Sequence, residues 1–528
     1  MAVESFKKEA GGETRAYRDL LAVFTAFQRL QSRYEEVQPQ KWLLPDGPER
    51  AAAVAEMKSC RRGQAALFAG VDVDALLAEA ETKTEALDEW ERGNLRLFRR
   101  QYTHFSGFMD TAAMEHYEDV IAAAETAWLA TLAIADRQEA FRRQIPILES
   151  AFAARRRVMA EPARRMGVPV SQACLDIYNP GMTNAAVDDT FDRLAAGWPR
   201  LMERLREKEK TLPAPLPITQ EIPADAQLRL FAKIEEAMLE AAGWDKAALA
   251  RAGIKIELTT AQTGFSWGSG KNIKLAIETD PHDLLKGLAN AMHECGHMLY
   301  MLEMNRLPAS VRGTPAAQPN GTAKNESAAL YFERVGLQKE FFALAAPLIR
   351  RELGVDGPEW QAGNLYRLAT RHDLTDTNWG ISEAMLAPNM AWRALADRRI
   401  LDGEMTVSEL PEFRARTMEE FTGIPHDPKQ FIVGEDHWPA GLMGYFHAYQ
   451  AGAMDAAALH DEIAPDSDAG SLREYLRPYY KHIRDRIFSH GSRESPESML
   501  DADAYLEKLV GDAGPGSPAP PPFRPCPD

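Results

Sequence analysis

Residues 284–297 read LLKGLANAMHECGH, and the fold of the second half of the chain is best approached from this stretch. Its apolar side chains recur at spacings of one, three and four residues, at Leu284, Leu285, Leu288 and Met292. That spacing is typical of an amphipathic helix. Asp280 and Pro281 favour a helix start, because an Asp carboxylate can cap the first turn and Pro fits within it. We therefore predict a long helix from Pro281 through Met304.

The end of this stretch, His293-Glu294-Cys295-Gly296-His297, has the pattern H-E-x-x-H. Residues four apart on a helix are offset by about 40° around its axis, so both imidazoles share one face. Two neutral ring nitrogens can then bind one tetrahedral zinc ion. Glu294 falls beside that face, where its carboxylate can take a proton from the activated water. The alternative is a helix with two buried histidines that bond to backbone or carboxylate groups.

A catalytic zinc site needs a third protein ligand and one open position. Glu326 lies downstream in the segment KNESAALYFERVGLQKEFF, at the start of a second amphipathic pattern. From a neighbouring helix it can reach the same metal ion. Its alternative role is that of a first-turn glutamate favoured by the helix dipole.

The rest of the chain predicts a mainly helical protein in four segments. We assign residues 1–210 to an N-terminal helical region, 211–225 to a proline-rich connector, 226–510 to a catalytic zinc region and 511–528 to a disordered tail. Residues 255–259 and 272–278 are short and β-branched enough to be strands of a small sheet. The glycine-rich residues between them are predicted to form a hairpin or sheet connection.

Bulk charge excludes some partners. The chain carries 61 basic and 78 acidic residues, a formal charge of -17. Proteins that bind nucleic acids or anionic membranes need clustered positive charge. We therefore expect neither partner. The densest basic cluster is interpreted as a solvated helix face and consists of Arg142, Arg143, Arg155, Arg156 and Arg157.

The cysteines and the first residues predict the compartment. The opening residues MAVESFKKEAGGETRAY lack the apolar stretch of a secretory signal. The four cysteines, Cys60, Cys174, Cys295 and Cys526, have no paired spacing and are expected to be free thiols. A cytoplasmic location is therefore expected.

Several further motifs follow one another in order along the chain. They are LDIYNPGMT at 175–183, Glu326-Ser327, LDGEM at 401–405, ELP at 409–411, Gly423-Ile424, His437-Trp438 and GYF at 444–446. Together with the H-E-x-G-H form of residues 293–297, they resemble the carboxypeptidase Taq family of zinc metallocarboxypeptidases. The resemblance spans most of the sequence. It implies a large helical metallopeptidase fold with a deep central groove, a small β-sheet near the zinc site, and homodimers.

The resemblance also implies roles for particular residues. His293, His297 and Glu326 match the positions of the three zinc ligands, with one zinc ion per chain. His437, together with Tyr445 or Tyr449, matches groups that face the scissile bond. A histidine or phenol there can stabilise an oxyanion or protonate the leaving amine.

The chain departs from the family on the substrate side. The family's D-x-R-x-T appears as residues 272–276, where Lys274 replaces an arginine, and its I-R-x-x-A-D aligns with residues 377–382, where Asn378 replaces another. Those arginines are expected to bind the terminal carboxylate of a peptide, and neither replacement offers a bidentate fork. Trp379 and Trp267 lie near the altered motifs and could present a flat surface to an aromatic substrate, or simply pack in the core.

We thus predict a zinc-dependent hydrolase of peptide or amide bonds, metallocarboxypeptidase-like, with altered substrate recognition. A first alternative is an amidohydrolase that acts on a small non-peptide amide or a modified amino acid. A second is a zinc-binding protein without catalytic activity. Glu294 argues against the latter, because a structural site needs no general base and is normally closed.

Overall fold

The computed structural model describes residues 15–44, 47–261, 264–269, 271–372, 383–465, 467–492 and 501–512. Helices dominate these residues, as the amphipathic patterns predict. Before the sheet the helices are α1 (Arg15–Val37), α2 (Gln40–Leu43), α3 (Pro48–Phe68), α4 (Val73–Glu81), α5 (Glu89–Phe105), α6 (Thr111–Leu132), α7 (Arg137–Met166), α8 (Val170–Tyr178), α9 (Asn184–Thr211), α10 (Ala224–Ala241) and α11 (Lys246–Ala252). After the sheet they are α12 (Leu284–Glu303), α13 (Thr322–Gly336), α14 (Lys339–Leu353), α15 (Ala362–Ala369), α16 (Glu383–Leu401), α17 (Leu410–Thr422), α18 (His447–Asp461), α19 (Leu472–Ile483) and α20 (Ala502–Asp512).

A small sheet interrupts the helices and has three strands, β1 (Lys255–Ala261), β2 (Phe265–Ser269) and β3 (Asn272–Glu278). The central strand is β3, which pairs parallel with β1 and antiparallel with β2. Both predicted strands are present. The segment predicted as their connection contains a third strand, where the rings of Phe265 and Trp267 lie with centroids 4.9 Å apart.

A tight β2–β3 turn depends on Gly268. Its φ is +124°, and a Cβ atom there would lie 1.9 Å from the Asn272 carbonyl oxygen. Glycine is therefore required at the sharp turn between β2 and β3. The glycine pattern alone did not predict that the short strand β2 precedes this turn.

The helix that carries the H-E-x-x-H pattern begins later than predicted. It starts at Leu284, and Asp283 caps it by accepting a hydrogen bond from the Lys286 backbone N–H at 3.0 Å. Pro281 does not open the helix because its carbonyl accepts a hydrogen bond from the Ile222 N–H at 2.8 Å. The Pro281 carbonyl thus bonds to a distant segment, whereas in a helix that starts at Pro281 it would accept a hydrogen bond from within the helix.

One continuous hydrophobic core extends from Ala16 to Leu509 and includes side chains from both sides of the proline-rich segment. Helix α9 ends at Thr211, and residues 212–223 contain neither helix nor strand before α10 begins. The four-segment division of the chain remains a prediction, and residues 513–528 lie outside the described residues.

The basic cluster on α7 is not wholly solvated. Arg142 and Arg143 pair with Glu139 on the surface, whereas the side chain of Arg155 is buried. The interpretation as a solvated face was therefore wrong for Arg155, which is 5% exposed. Among the helices within the described ranges, none is both long enough and apolar enough to cross a membrane.

Candidate metal centre and active-site cavity

The two histidines of the H-E-x-x-H pattern meet Glu326 where α12 packs against α13. Glu326 Oε2 lies 3.5 Å from His293 Nε2 and 3.7 Å from His297 Nε2. The helices approach closely because Gly296 faces α13. A Cβ atom on Gly296 would lie 2.6 Å from Ala329 Cα. The glycine inside the pattern is thus a packing requirement that brings Glu326 to the histidines.

Helix α18 supports α13 from its other side. A Cβ atom on Gly452 would lie 2.8 Å from the Cβ of Glu326 and 2.9 Å from the Ser327 backbone nitrogen. Glu326 is therefore held between two helices at close approach, with its side chain 2% exposed. Little room remains for it to move away from the histidines.

The three side chains fit a metal ion. One ligand atom from each of His293, His297 and Glu326 lies within 4.8 Å of the others. Glu326 Oε2 is buried and has no hydrogen-bond partner, whereas Oε1 accepts a hydrogen bond from the Tyr445 hydroxyl at 2.6 Å. A buried carboxylate oxygen without a partner is costly. A cation between Glu326 and the two imidazoles would satisfy that oxygen.

Burial and neighbouring carboxylates set the protonation of the two histidines. Burial lowers the pKa of His297 to about 4, against the attraction of Glu326, so this imidazole is neutral near pH 7. Burial also disfavours the charged form of His293. The nearby carboxylates of Glu326 and Glu333 outweigh that effect and raise its pKa well above the ordinary value. Without a cation, the carboxylates therefore draw a proton to the position that a metal ion can take.

A second carboxylate orients His293. Glu333 Oε2 lies 3.2 Å from His293 Nδ1, on the ring nitrogen away from Glu326. Carboxylates commonly fix the orientation and tautomer of metal-binding histidines in this way. Glu333 is not among the site residues predicted from the sequence. Its spacing of seven residues from Glu326, two turns along the same helical face, is the signal that could have found it.

Glu294 lies beside the triad in a dry position. It is 3% exposed, lines the cavity described below, and its Oε2 has no hydrogen-bond partner. Burial raises the pKa of Glu294 to about 7, with His293 opposing the rise and Glu326 adding to it. Ser266 and Asn290 contribute hydrogen bonds that lower this pKa. The carboxylate is thus placed to exchange a proton with a molecule in the cavity.

The opposite wall carries His437, Tyr445 and Tyr449. His437 Nε2 lies 3.2 Å from the Tyr449 hydroxyl, and the Tyr445 and Tyr449 rings lie with centroids 5.3 Å apart. Burial raises the pKa of both phenols well above the ordinary value, so they remain protonated donors. The three predicted side chains therefore form one cluster, and Tyr445 joins it to Glu326.

The turn before Tyr445 is fixed by contacts of Gly444 with Asp397 and Cys174. Gly444 has a φ of +90° and donates its backbone N–H to Asp397 Oδ2, and a Cβ atom there would lie 2.6 Å from the Cys174 carbonyl carbon. The Tyr178 ring packs edge-on against Tyr445 at 5.1 Å. The motif at 175–183 thus contributes to the placement of Tyr445, and Asp397 was not singled out in the sequence.

The His-His-Glu triad, Glu294 and the side chains of His437, Tyr445 and Tyr449 line one cavity of about 400 Å³. Gly264, Phe265 and Ser266 lie along one side, and α12 contributes Lys286 and Asn290. The volume is in the range of small-molecule and peptide-end sites. The sheet edge, the helix with the two histidines and the His437 wall therefore surround the candidate metal centre.

Comparison with known proteins gives the family. A model of the Carboxypeptidase Taq (M32) metallopeptidase family matches residues 47–507. The chain belongs to this family. As a member of the M32 family it is a metallohydrolase, and membership implies a bound metal ion. The resemblance seen in the sequence is thereby confirmed.

Relatives of this M32 chain are distant in sequence. It is 24% identical over 434 residues to thermostable carboxypeptidase 1 of Pyrococcus furiosus, covering 80% of this chain and 82% of that protein. It is 23% identical over 342 residues to carboxypeptidase 1 of Bacillus subtilis, covering 64% and 65% of the two chains. The solved structure of Trypanosoma cruzi metallocarboxypeptidase 1 matches with a TM-score of 0.78 at 21% identity, over 94% of this chain and 99% of that chain. At such identity the structural match shows a common M32 fold.

The residues predicted to contact the substrate lie in different parts of the M32 chain. Lys274 lies on β3, where its Nζ is 3.2 Å from Glu257 Oε2, and it is not part of the cavity lining. Asn378 and Trp379 lie outside the described residues. The Trp267 ring lies beside that of Phe265 on β2, tilted by 31°. The roles assigned to these residues remain predictions.

Proposed function

We propose that this M32 chain is a zinc-dependent hydrolase of peptide or amide bonds, with substrate recognition that differs from that of its relatives. The observation that carries the proposal is the buried Glu294 carboxylate beside a His-His-Glu donor set. Two imidazoles and one carboxylate are a common protein donor set of catalytic zinc, and they leave one position open. His293, His297 and Glu326 would hold the ion.

The reaction follows from the positions of the side chains. A bound zinc ion supplies a Lewis acid that polarises the substrate carbonyl and makes water more acidic. Glu294 accepts the proton of the attacking water and then delivers it to the leaving nitrogen. Its burial keeps other water away from that proton. One carboxylate thus serves both proton transfers.

His437 and Tyr449 stabilise the reacting carbonyl in this proposal. The two groups share a hydrogen bond of 3.2 Å that keeps both in place. With His437 Nε2 as its donor, the Tyr449 O–H can point at a developing oxyanion, where a donor in a dry site lowers the barrier most. Tyr445 has a different part, since its single O–H is donated to Glu326 Oε1.

Substrate recognition is the part in which this chain departs from the family pattern. The ion pair of Lys274 with Glu257 and the asparagine at position 378 support a loss of carboxylate binding. We therefore expect weak activity on ordinary peptides with a free C-terminus. An amidohydrolase acting on a small amide is a second candidate, favoured by a cavity of about 400 Å³ without a cation free to bind a terminal carboxylate among its described lining residues.

The test compares free and amidated forms of one peptide with small aryl and alkyl amides, using zinc-loaded protein. Hydrolysis that depends on zinc and disappears in Glu294→Gln supports the proposed function. Efficient cleavage of free peptides, abolished by amidation, would contradict the altered recognition. Hydrolysis of small amides alone would favour the amidohydrolase, and full activity in Glu294→Gln would contradict both candidates.

Two further features belong to this proposal. We expect homodimers, as the family resemblance implies, and a measurement of mass in solution tests that expectation. A cytoplasmic location is supported by the buried free thiols of Cys60, Cys174 and Cys295.

A further inference from the structure

The charges that line the cavity are mostly negative. Beyond the triad and Glu294, the described lining residues include four more carboxylates, whereas Lys286 is their single Lys or Arg. Those carboxylates belong to Glu278, Glu333, Glu435 and Asp436. Glu278 and Glu435 are paired with Lys286 and Arg393, so Glu333 and Asp436 are the carboxylates left to favour a cation over an anion in this cleft.

The cations near the cavity are already engaged. Lys286 Nζ lies 2.6 Å from Glu278 Oε1. Arg393 lies behind the wall and grips both oxygens of Glu435, at 2.6 and 2.9 Å. A bidentate pair of this kind is strong and directional, so Arg393 has little left to offer a substrate carboxylate.

The two positions at which the family resemblance predicts carboxylate-binding arginines hold Lys274 and Asn378. Lys274 pairs with Glu257 outside the cavity lining. The groups that would attract a terminal carboxylate are therefore either absent from these positions or already paired.

Asp436 remains as an accessible carboxylate next to the reacting groups. Its side chain is 29% exposed, and His437 Nδ1 is 3.5 Å away. Glu333, 22% exposed, lies on the opposite side beside His293. The buried, unpartnered Oε2 of Glu294 in the same cavity is a second sign that this space is arranged for a bound molecule.

We propose that the substrate carries a positively charged group, an ammonium or a guanidinium, and that Asp436 binds it. This inference rests on the proposed function for the reaction, that is, for hydrolysis of a peptide or amide bond. The preference for a positive charge comes from the cavity lining and does not depend on that reaction. The charge can lie on the acyl side or on the amine side of that bond. Asp436 would then determine specificity as the family's arginines do for an anionic group.

The first experiment uses zinc-loaded protein and pairs of substrates that differ only in charge. One pair carries lysine or norleucine on the acyl side of the bond, and a second pair carries them on the amine side. Norleucine has a similar side chain without the ammonium group. All four substrates have an amidated C-terminus. We expect kcat/KM to be about ten- to a hundred-fold higher for lysine in one of the two positions, the usual effect of a charge-assisted hydrogen bond. The favoured position identifies where the charge is carried.

The second experiment removes the carboxylate. Asp436→Asn should reduce the lysine-to-norleucine ratio several-fold or more, while norleucine substrates serve as the internal reference for damage to the site. Glu207→Gln, a matched loss of one charge at an exposed ion pair on α9, should leave that ratio unchanged. Added salt should also reduce the ratio, because screening weakens attraction between partly exposed charges.

Binding separates this inference from the hydrolytic proposal. Calorimetry with N-acetyl-lysine amide and N-acetyl-norleucine amide measures the preference without turnover. Tighter binding of the lysine compound, lost in Asp436→Asn, supports the inference even if no bond is cleaved. Equal binding of the two compounds, or faster cleavage of norleucine substrates in both positions, would overturn it whether or not the protein is a hydrolase.

Discussion

Glu294 lies buried in the cavity beside the His-His-Glu donor set, and Glu294→Gln tests its proposed role as the general base. The amide is close to the carboxylate in size but cannot accept a proton, so we expect turnover to fall roughly 10²–10⁴-fold. The folded state and the metal content should not change, because Glu294 is not part of the donor set. Steady-state kinetics and elemental analysis of the same preparation check both statements. Activity within a few-fold of wild type would contradict the general-base role.

Glu333 gives a second prediction at the same scale. Glu333→Gln removes the charge that orients His293 through Nδ1, and loss of such a partner typically weakens metal binding roughly 10–100-fold. Competition with a chelator of known affinity measures the change without reference to activity. Glu340→Gln, an acidic residue in the first turn of the next helix, serves as the control. Unchanged affinity in Glu333→Gln would show that His293 needs no such support.

The sequence alone predicts which candidate site residues share a helical face, whereas the more distant ones, Glu326, His437, Tyr445 and Tyr449, rested on the family resemblance. His293, Glu294 and His297 lie within one helical turn and a half, and their shared face follows from helix geometry. Asp397 and Glu333 act through tertiary contacts, with the Gly444 N–H and the His293 ring. No spacing in the sequence indicates the contact of Asp397, and the seven-residue spacing of Glu333 from Glu326 indicates a shared helical face but not the contact with His293.

Among the secondary-structure elements, the approach of α12 to α13 depends on one missing side chain. In Gly296→Ala the new Cβ would be 2.6 Å from Ala329 Cα and 2.7 Å from the Ala328 carbonyl oxygen, so the helices must separate. We expect destabilisation by roughly 1–3 kcal/mol, the usual range for overpacking, and weaker metal binding. Urea unfolding and chelator competition measure the two effects.

Gly363→Ala is the control for that substitution. Gly363 lies in helix α15, and a Cβ atom there would meet nothing within 4 Å. Alanine should be neutral or stabilise by up to about 1 kcal/mol, because it restricts the unfolded chain and favours the helix. Equal destabilisation in both variants would show that close approach at Gly296 is not the cause.

Asp397 on α16 gives a prediction about pH. Burial raises its pKa from 3.8 to about 7, against the hydrogen bond from Gly444 and the attraction of Arg155, while Asp402 adds to the rise. The folded protein therefore keeps a proton that the unfolded chain has released, so this group's contribution to stability is lost as pH rises from about 4 to about 7. Asp397→Asn stays neutral at every pH. The melting temperature of the variant minus that of wild type should therefore increase across this range, and a constant difference would contradict the raised pKa.

Periodicity predicted the long helices and both flanking strands, but it did not predict where tertiary contacts end an element. The start of α12 moved from Pro281 to Leu284 because Ile222, from the proline-rich segment, takes the Pro281 carbonyl. Strand β2 was missed since five residues around Gly268 carry too little alternation to stand out. Both differences arise from partners that are distant in the sequence or from turn geometry.

For the whole molecule, removal of the metal ion should lower thermal stability. The site buries Glu294, Glu326 and both histidines, and a ligand that binds only the folded state stabilises it by mass action. Metal at a thousand times its dissociation constant contributes about 4 kcal/mol, which for a chain of this length corresponds to roughly 4 °C in melting temperature. Differential scanning calorimetry before and after chelation, with zinc restored at the end, checks this. An unchanged melting temperature would show that the folded state gains nothing from the ion.

The placement of Glu326 also has a consequence for the order in which the cavity is assembled. His293 and Glu333 are 40 positions apart along the chain, whereas Tyr445 and Glu326 are 119 apart. Closing a longer loop costs more entropy, and a chain made on the ribosome emerges from its N-terminal end. The two helices with the histidines and Glu326 are thus synthesised before the residues of the tyrosine wall and before α18, which packs against Glu326 from the other side. We expect a nascent chain to be able to take up its metal ion while the cavity is still open on one side, so that the substrate-facing wall closes over a centre that is already loaded.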